Sequence, residues 1–398
     1  MNINGNNSYC NALMEVTVRP AVTMVEGKGS WLKDHNGKQY LDFVQGWAVN
    51  CLGHSSDIVT QAAVTQLNTL VSCSPGYYNA PMMQLATRIA ELSGLEKVFF
   101  TSSGAEANEG AIKLARKWGQ LHRNGAYSII TLQNSFHGRT LAAMSASGKP
   151  QWEPLFEPKV PGFIKVPIND LAAIEAVITD NTVAIMLEPI QGEAGVIPAE
   201  SKYLQALRAL TKRKNILLIL DEIQTGIGRT GTLFAFQQAG ITPDIMTLGK
   251  GLGGGVPLAA LVASKEVSCF DQGDQGGTFS GNPLMTAIGC AVLDVVAKPD
   301  FLKHVQERGE YLQQKLIQLS KDKGLGAVRG KGLLIAMEIP LCTANEIVSR
   351  AFDSGLLMNA PRPNILRFMP ALNVSDDEID QMAEILRNDI DYQARVSC

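Results

Sequence analysis

The 398-residue sequence has little net charge and no long apolar run. Its formal net charge is −3 and its pI is about 6.0, so it has no basic field that would attract nucleic acid or an anionic membrane. No apolar run reaches the roughly 18 residues that a membrane-spanning helix needs. With 45% apolar and 18% charged residues, the composition is typical of a globular protein that binds neither nucleic acid nor a membrane.

The sequence also lacks the spacing patterns of metal sites, disulfide frameworks and targeting segments. Its seven cysteines include no CxxC pair, and its five histidines form no HxxxH pair and no Cys/His cluster. We therefore expect reduced thiols and no metal site. The start, MNINGNNSYCNALMEV, has neither the charged and apolar regions of a signal peptide nor the Arg-rich character of a transit peptide. A cytoplasmic protein is expected.

Short apolar runs alternate with helical patterns through the middle of the chain. Val183–Leu187 and Ile216–Leu220 are continuously apolar, as expected for strands buried on both faces of a parallel sheet. Between them, Leu204, Leu207 and Leu210 recur at helical spacing. This alternation predicts an α/β core with a mainly parallel sheet.

The length and a change of pattern predict two domains. Single hydrophobic cores stop growing near roughly 250–300 residues. After about residue 284 a long helical stretch leads into strand-like runs and a last helix with the capping box Ser375-x-x-Glu378. We predict a large domain over residues 56–283 and a smaller α+β domain over residues 284–398. Residues 1–55 are expected to pack with the small domain.

The densest chemical signal is the pair of segments LDEIQTGIGRTG and PDIMTLGKGLGGGVPL. A buried apolar run ends at Asp221, and Lys250 lies between glycines after the next apolar run. Because ligands of parallel sheets gather at the carboxyl ends of strands, both side chains are expected to face one crevice. Pyridoxal phosphate needs a lysine that forms an imine and a carboxylate that keeps its pyridine nitrogen protonated. Lys250 and Asp221 can fill these two roles.

Two further needs of that cofactor are also met. The segment Ser102–Asn108 turns from a strand into a helix, whose first N–H groups can bind a phosphate. Phe136, just past another strand, offers a surface for the ring. Taken singly, each residue has an ordinary explanation, such as a surface turn, a loop cap or a core position. Their joint occurrence on one α/β pattern favours a cofactor site.

A competing motif is present in the same region. Gly226-x-Gly228-x-x-Gly231 matches the dinucleotide fingerprint and follows a strand. However, five residues separate the strand from the glycines, and Gly240 follows too soon for a crossover helix. A nicotinamide-dependent oxidoreductase is therefore a weak alternative, and a non-catalytic scaffold is another.

With these residues in view, the sequence resembles the class III, ornithine-type aminotransferases of the fold type I pyridoxal-phosphate enzymes. The resemblance covers nearly the whole chain, and GWAVNCLGH, SGAEANEGAIKLAR, SFHGRT and EPIQGEAGV are most similar to acetylornithine aminotransferases. It implies a large domain with a mainly parallel seven-stranded sheet, a homodimer and pyridoxal 5'-phosphate. It also implies transfer of the terminal amino group of N2-acetylornithine to 2-oxoglutarate, of the arginine-biosynthesis type.

The resemblance implies roles for the cofactor-binding residues. Lys250 carries the cofactor and shuttles the proton, and Asp221 pairs with the pyridine nitrogen. Gln224 bonds the ring hydroxyl oxygen, and Phe136 stacks on the ring. The phosphate receives contacts from the remaining cofactor-binding residues: the backbone N–H groups of Gly104 and Ala105, with Ser103 beside them, and Thr278 from the neighbouring subunit.

The resemblance also implies how substrates bind. Arg139 and Arg367 bind substrate carboxylates, and Glu193 pairs with Arg367 when no substrate carboxylate needs it. His137 is the residue that acetylornithine enzymes carry at its position. Trp47 replaces a usually aliphatic residue in a segment that lines the substrate mouth in relatives. Succinylornithine, ornithine and 4-aminobutyrate therefore stay open as alternative donors.

Overall fold

The computed structural model of the protein describes residues 12–339 and 344–396. Cys10, Cys342 and Cys398 lie outside the described residues, as does the beginning of the predicted N-terminal segment. Among the described helices, none is both long enough and apolar enough to cross a membrane.

The described chain alternates strands and helices over most of its length. The strands are β1 (Met24–Lys28), β2 (Trp31–Asp34), β3 (Gln39–Asp42), β4 (Lys97–Thr101), β5 (Ser128–Leu132), β6 (Phe163–Val166), β7 (Thr182–Leu187), β8 (Ile190–Gln191), β9 (Ile197–Pro198), β10 (Leu217–Asp221), β11 (Ile245–Leu248), β12 (Ala259–Ala263), β13 (Val328–Lys331), β14 (Leu334–Glu338), β15 (Leu356–Leu357), β16 (Asn359–Arg362) and β17 (Ile365–Phe368).

The helices follow the same order along the chain. They are α1 (Gln45–Ala48), α2 (Asp57–Leu67), α3 (Ala80–Ser93), α4 (Gly104–His122), α5 (Leu141–Ala146), α6 (Leu171–Val177), α7 (Ser201–Lys214), α8 (Pro283–Val296), α9 (Pro299–Lys323), α10 (Ala344–Asp353) and α11 (Asp376–Val396). Short 3₁₀ helices cover Pro150–Trp152, Ala235–Ala239 and Lys250–Gly253.

A seven-stranded sheet forms the centre of the molecule, in the order β4-β12-β11-β10-β7-β5-β6. The pairs among β11, β10, β7, β5 and β6 are parallel, and β12 runs antiparallel to both its neighbours. All residues of β5, β7, β10, β11 and β12 are buried, because helices cover both faces of the sheet. The predicted α/β fold with a mainly parallel seven-stranded sheet is confirmed.

Three smaller sheets of the described residues lie outside the central one: the antiparallel pair β8-β9 and two four-stranded sheets. Of the four-stranded sheets, the first has the order β1-β2-β3-β15, in which β15 from the C-terminal part pairs in parallel with β3. The second is antiparallel, in the order β13-β14-β17-β16. The N-terminal strands thus share a sheet with the C-terminal part. The domain boundaries at residues 55 and 283 stay predictions.

The glycines of the dinucleotide-like motif lie in a turn and not at the start of a helix. Gly228 and Gly231 have φ values of 82° and 91°. Between β10 and β11 the described chain forms one 3₁₀ helix, Ala235–Ala239, and no α-helix. The motif therefore lacks the helix N-terminus that binds a dinucleotide pyrophosphate, which removes the basis of the oxidoreductase alternative.

Candidate active site

A cavity of about 590 Å³ opens where β10 and β11 end and α4 begins. This is the edge of a parallel sheet at which ligands gather. Both residues on which the sequence prediction depends, Asp221 and Lys250, line it. The lining residues are Trp47, Gly104, Ala105, Phe136, His137, Gly138, Arg139, Glu188, Glu193, Asp221, Ile223, Gln224, Lys250, Asn359, Ala360 and Pro361.

Asp221 is the last residue of β10, and hydrogen bonds fix its carboxylate. Its Oδ2 accepts hydrogen bonds from Asn108 Nδ2 and His137 Nδ1, both at 2.8 Å. Thr247 Oγ1 in turn donates to Asn108 Oδ1 at 2.8 Å. We call these four residues the Asp221 network. All four are buried, so this carboxylate is held in one position at the cavity wall.

His137 is coupled to Asp221 through charge as well as geometry. Burial by itself lowers the pKa of His137, but the hydrogen bond and the negative charge of Asp221 more than offset it, so that the pKa is raised. The positive form of His137 therefore stabilises Asp221 as a carboxylate. A group that needs a negative partner, such as a pyridinium nitrogen, fits beside Asp221.

Lys250 lies two residues after the end of β11 and is held in a strained backbone conformation. Its φ of 44° is unusual for a residue other than glycine. The next residue is fixed from outside, because Cys51 Sγ contacts Gly251 O at 3.2 Å. Burial, followed by the charge of Arg367, lowers the pKa of Lys250 to about 8. The neutral form, which is the nucleophile, is thus a larger fraction near neutral pH than for an exposed lysine.

The N-terminus of α4 faces the cavity and is suited to a phosphate. Ser103 caps the helix by accepting a hydrogen bond from Glu106 N at 3.3 Å, and Glu106 Oε2 accepts one from Ser102 N at 2.7 Å. Gly104 and Ala105 line the cavity. A Cβ on Gly104 would lie 2.8 Å from Ile223 Cδ1, so a larger residue here would push Ile223 aside.

Gln224 has an unsatisfied polar atom at the cavity wall. Its Oε1 is buried and has no hydrogen-bond partner within the described residues. Gly192 makes room for the side chain, because a Cβ there would lie 1.7 Å from this oxygen. This oxygen is not exposed to the cavity, so it reaches a ligand only if the side chain turns. Ile223 and Phe136 line the same cavity and offer apolar surface for a flat ring.

Glu188 is a buried acid in the same wall. Its Oε2 accepts a hydrogen bond from Phe136 N at 3.0 Å, which holds the backbone beside the Phe136 ring. Burial raises the pKa of Glu188 to about 7, and the nearby charge of Asp221 acts in the same direction. Glu188 therefore titrates near neutral pH.

Glu193 joins two cations at the other side of the cavity. Its Oε1 accepts a hydrogen bond from Arg367 Nη2 at 2.9 Å, as the resemblance implied for the substrate-free protein. Its Oε2 accepts one from Lys149 Nζ at 2.9 Å, which the sequence did not predict. We call these three residues the Glu193 bridge. Burial raises the pKa of Glu193, but Arg367 and Lys149 outweigh it and lower the pKa to about 2.

A left-handed turn carries Trp47 to the cavity mouth. Gln45, Gly46, Trp47 and Ala48 have φ values of 49°, 63°, 63° and 67°, which is strained for the three residues other than glycine. The carboxylate of Asp42 supports it by accepting hydrogen bonds from Val44 N and Gln45 N at 2.8 and 3.0 Å.

Trp47 and Arg139 both lie at this mouth. Trp47 is 53% exposed and lines the cavity, as expected for a residue at a substrate mouth. Arg139 also lines the cavity, with its guanidinium 5.3 Å from the Trp152 ring centroid.

Three residues of the predicted site lie outside the lining of the cavity. Ser103 caps α4, and Arg367 is fully buried behind Glu193. Thr278 is exposed on the surface of this chain. Sequence reasoning missed Lys149 altogether. Asn108 was predicted only as part of the phosphate-binding turn, but it bonds Asp221. Its position as a polar residue on the buried face of α4 indicates such a partner.

Comparisons with known proteins agree with this geometry. The sequence model of the family "Aminotransferase class-III" matches residues 13–390. Acetylornithine aminotransferase of Ralstonia nicotianae is 58% identical over 383 residues, covering 94% of this chain and 96% of the relative. Acetylornithine aminotransferase 2 of Bordetella bronchiseptica is 56% identical over 379 residues, with 94% and 96% covered.

Solved structures give the same result. N-acetylornithine aminotransferase from Stenotrophomonas maltophilia superposes with a TM-score of 0.83 at 34% identity, covering 94% of this chain and 97% of that chain. Ornithine aminotransferase from Toxoplasma gondii superposes with a TM-score of 0.92 at 31% identity, covering 96% and 93%. These matches confirm the predicted enzyme class, fold type and cofactor, pyridoxal 5'-phosphate. The chain belongs to the class III aminotransferases, and it is a transaminase that uses a small-molecule amino donor and a keto acid.

Proposed function

We propose that the protein transfers the terminal amino group of N2-acetylornithine to 2-oxoglutarate, giving the semialdehyde and glutamate. The observation that carries the proposal is one cavity lined by Lys250, Asp221 and Glu193, in which Glu193 is bonded to the buried Arg367. The names of the relatives support the choice of donor. The activity would be of the arginine-biosynthesis type.

The cofactor end of the cavity fits pyridoxal phosphate, which supplies an electron sink when bound. Lys250 Nζ would hold it covalently and then move the proton on the substrate. The Asp221 carboxylate would face the ring nitrogen, and the side-chain amide of Gln224, which lines the cavity, would bond the ring hydroxyl oxygen. The first N–H groups of α4, at Gly104 and Ala105, would bind the phosphate, with Ser103 fixing the helix start.

The substrate end fits two unlike substrates in turn. 2-Oxoglutarate has two carboxylates, which Arg139 and Arg367 would clamp through charge-assisted hydrogen bonds. An ω-amine brings no carboxylate to the reacting carbon, so an unpaired buried Arg367 would be costly at that stage. Glu193, 2.9 Å away, neutralises it. The site thus alternates between a closed bridge, in which Glu193 bonds Arg367, and an open bridge, in which a substrate carboxylate bonds Arg367 instead.

We further propose a cytoplasmic homodimer in which Thr278 reaches the phosphate of the neighbouring site. Thr278 is exposed, and its neighbour Phe279 is 66% exposed. Tyr77 and Tyr78 are 71% and 86% exposed, and no residue of α2 is buried. Exposed apolar residues of this kind are suited to contact with a second copy. The free thiols of Cys51, Cys73, Cys269 and Cys290 suit a reducing compartment. Sedimentation, together with cofactor affinity in Thr278→Ala, tests the dimer. A monomer with unchanged affinity contradicts it.

A donor screen tests the substrate. Purified holoenzyme with 2-oxoglutarate should show its highest kcat/KM with N2-acetylornithine, compared with succinylornithine, ornithine and 4-aminobutyrate. A different preferred donor would overturn the substrate assignment while leaving the transaminase assignment intact. Borohydride reduction followed by peptide mapping should place the pyridoxyl label on Lys250, and a label on Lys265 would overturn the assignment of the lysine.

A further inference from the structure

Glu193 has two cationic partners that differ in exposure. Each of its carboxylate oxygens bonds a different cation, Oε1 to Arg367 and Oε2 to Lys149, both at 2.9 Å. The Arg367 side chain is 0% exposed, whereas those of Lys149 and Glu193 are 17% and 26% exposed. Glu193 therefore lies between a deeply buried cation and one nearer to solvent.

Glu193 covers Arg367 from the cavity. Among the described residues, Glu193 lines the cavity and Arg367 does not. Arg367 Nη1 has no hydrogen-bond partner among those residues, and Nε donates to Asn359 Oδ1 at 3.2 Å. A substrate carboxylate can reach Arg367 only after Glu193 swings away. The hydrogen bond from Arg367 Nε to Asn359 does not involve Glu193 and is independent of it.

Moving Glu193 away from Arg367 would be costly without a second partner. A partly buried carboxylate that loses its cation keeps its desolvation penalty without the compensating attraction. Lys149 already bonds Oε2, so Oε1 can leave Arg367 while the other bond stays. We infer that Lys149 is the positioning residue that holds Glu193 in the open bridge, an inference that rests on the proposed alternation of substrates.

The position of Lys149 does not depend on Glu193 alone. Its ammonium lies 4.8 Å from the ring centroid of Phe136 and 5.1 Å from that of Trp152, within the range of cation–π attraction. The Trp152 ring also lies 5.3 Å from the guanidinium of Arg139. Lys149 is therefore fixed on an aromatic pair that also contacts the other carboxylate-binding arginine. Lys149 is therefore already in place to donate a hydrogen bond to Glu193 when Glu193 leaves Arg367.

The inference predicts a one-sided defect in Lys149→Met. Without Lys149, Glu193 has Arg367 as its remaining cation, so the bridge opens less readily. Glutarate, a dicarboxylate without a keto group, should bind the holoenzyme about tenfold more weakly, between the effects of exposed and fully buried ion pairs. The KM for 2-oxoglutarate should rise similarly. The half-reaction with N2-acetylornithine uses the closed bridge and should change less than about twofold, because opening is not needed there.

The experiment is a calorimetric titration of holoenzyme with glutarate, together with single-turnover rates of both half-reactions. Lys149→Arg keeps the charge and should restore glutarate binding to within about threefold. Lys202→Met is the matched control, because Lys202 is exposed on α7 and does not line the cavity. Thermal melting of each variant separates a folding defect from a binding defect, and Lys149→Arg keeps the test usable if the methionine variant unfolds.

A double variant decides whether Lys149 acts through Glu193. In Glu193→Ala there is no carboxylate to hold, so adding Lys149→Met should not weaken glutarate binding further. Equal weakening in both backgrounds would show that Lys149 binds the dicarboxylate itself, and unchanged binding in Lys149→Met alone would also overturn the inference. Because the titration uses no amino donor, a failed donor screen and a failed role of Lys149 are distinguishable.

Discussion

Two groups of charged residues at the cavity serve different ligands. The fixed side is the Asp221 network together with Lys250, and the exchangeable side is the Glu193 bridge. In the Asp221 network the carboxylate and its side-chain partners are buried and bonded to one another, and Ile223 N also donates to Oδ1 at 3.1 Å, so the charge is held in place. In the Glu193 bridge the carboxylate is partly exposed and shared between two cations. The comparison teaches that a fixed charge serves the cofactor, which stays, whereas an exchangeable charge serves the substrates, which alternate.

The largest expected effect is on the fixed side, at the lysine. Lys250→Ala should lower turnover by at least roughly 10²–10⁴-fold, since a positioned proton-transfer group alone contributes that much. The fold should persist, because the side chain borders a cavity and contributes little packing. Steady-state assays and thermal melting check this, with Lys265→Ala as the control on an exposed lysine. Near-normal turnover in Lys250→Ala would place the chemistry elsewhere.

Asp221→Asn tests whether the fixed side acts through charge. It keeps the shape but removes the charge, and turnover should fall by roughly a hundredfold or more. The pKa of His137 should also fall in the variant, because the burial that lowers it stays and the carboxylate that raises it is lost. A histidine NMR titration measures this shift. Normal turnover with an unchanged His137 pKa would mean that Asp221 only caps a strand.

Arg367→Ala tests the exchangeable side. It should weaken 2-oxoglutarate by roughly ten- to a hundredfold and spare the half-reaction with the ω-amine, in which Arg367 meets no substrate. Glu193 keeps Lys149 as a partner, so the variant should fold. Single-turnover rates of the two halves are the measurement. Equal loss in both halves would make the bridge a structural feature without an alternating role.

The smallest expected effect is a shift in the pH dependence of cofactor capture by Lys250 when Arg367 is changed. The neutral amine of Lys250 is the nucleophile, so capture of added pyridoxal phosphate by cofactor-free protein should speed up with rising pH and level off above about 8. Burial accounts for most of the lowered pKa, and the charge of Arg367 for part of it. Arg367→Ala should therefore move the midpoint to higher pH. Stopped-flow absorbance measures this midpoint. A midpoint that does not change in Arg367→Ala would show that Arg367 does not influence the pKa of Lys250.

Local patterns predicted the fixed side well. β7 and β10 lie within one residue of the apolar runs Val183–Leu187 and Ile216–Leu220. The capping box of α11, outside this site, also forms as the spacing of Ser375 and Glu378 indicates. Asp221 and Lys250 were predictable because strand ends in a parallel sheet converge. Buried continuous runs and short-range caps leave a signal within a few residues, so they can be read without the fold.

The exchangeable side was only partly predictable, because its contacts are remote in sequence. Lys149 lies 44 residues from Glu193, and Arg367 lies 174 residues from it. No local pattern marks such pairs, and family resemblance supplied Arg367 but not Lys149. The antiparallel position of β12 and the pairing of β15 with β3 were likewise invisible, since strand order depends on the whole topology.

The central claim is that Glu193 decides which substrates the site accepts, and the donor preference of Glu193→Ala tests it most directly. Without Glu193, Arg367 is open in both half-reactions, so α-amino donors such as glutamate should gain on the ω-amine. The ratio of kcat/KM for glutamate to that for N2-acetylornithine should rise by about a hundredfold over the wild type, on the scale of a buried ion pair losing one partner. A ratio that stays the same, with both donors weakened equally, would contradict the account.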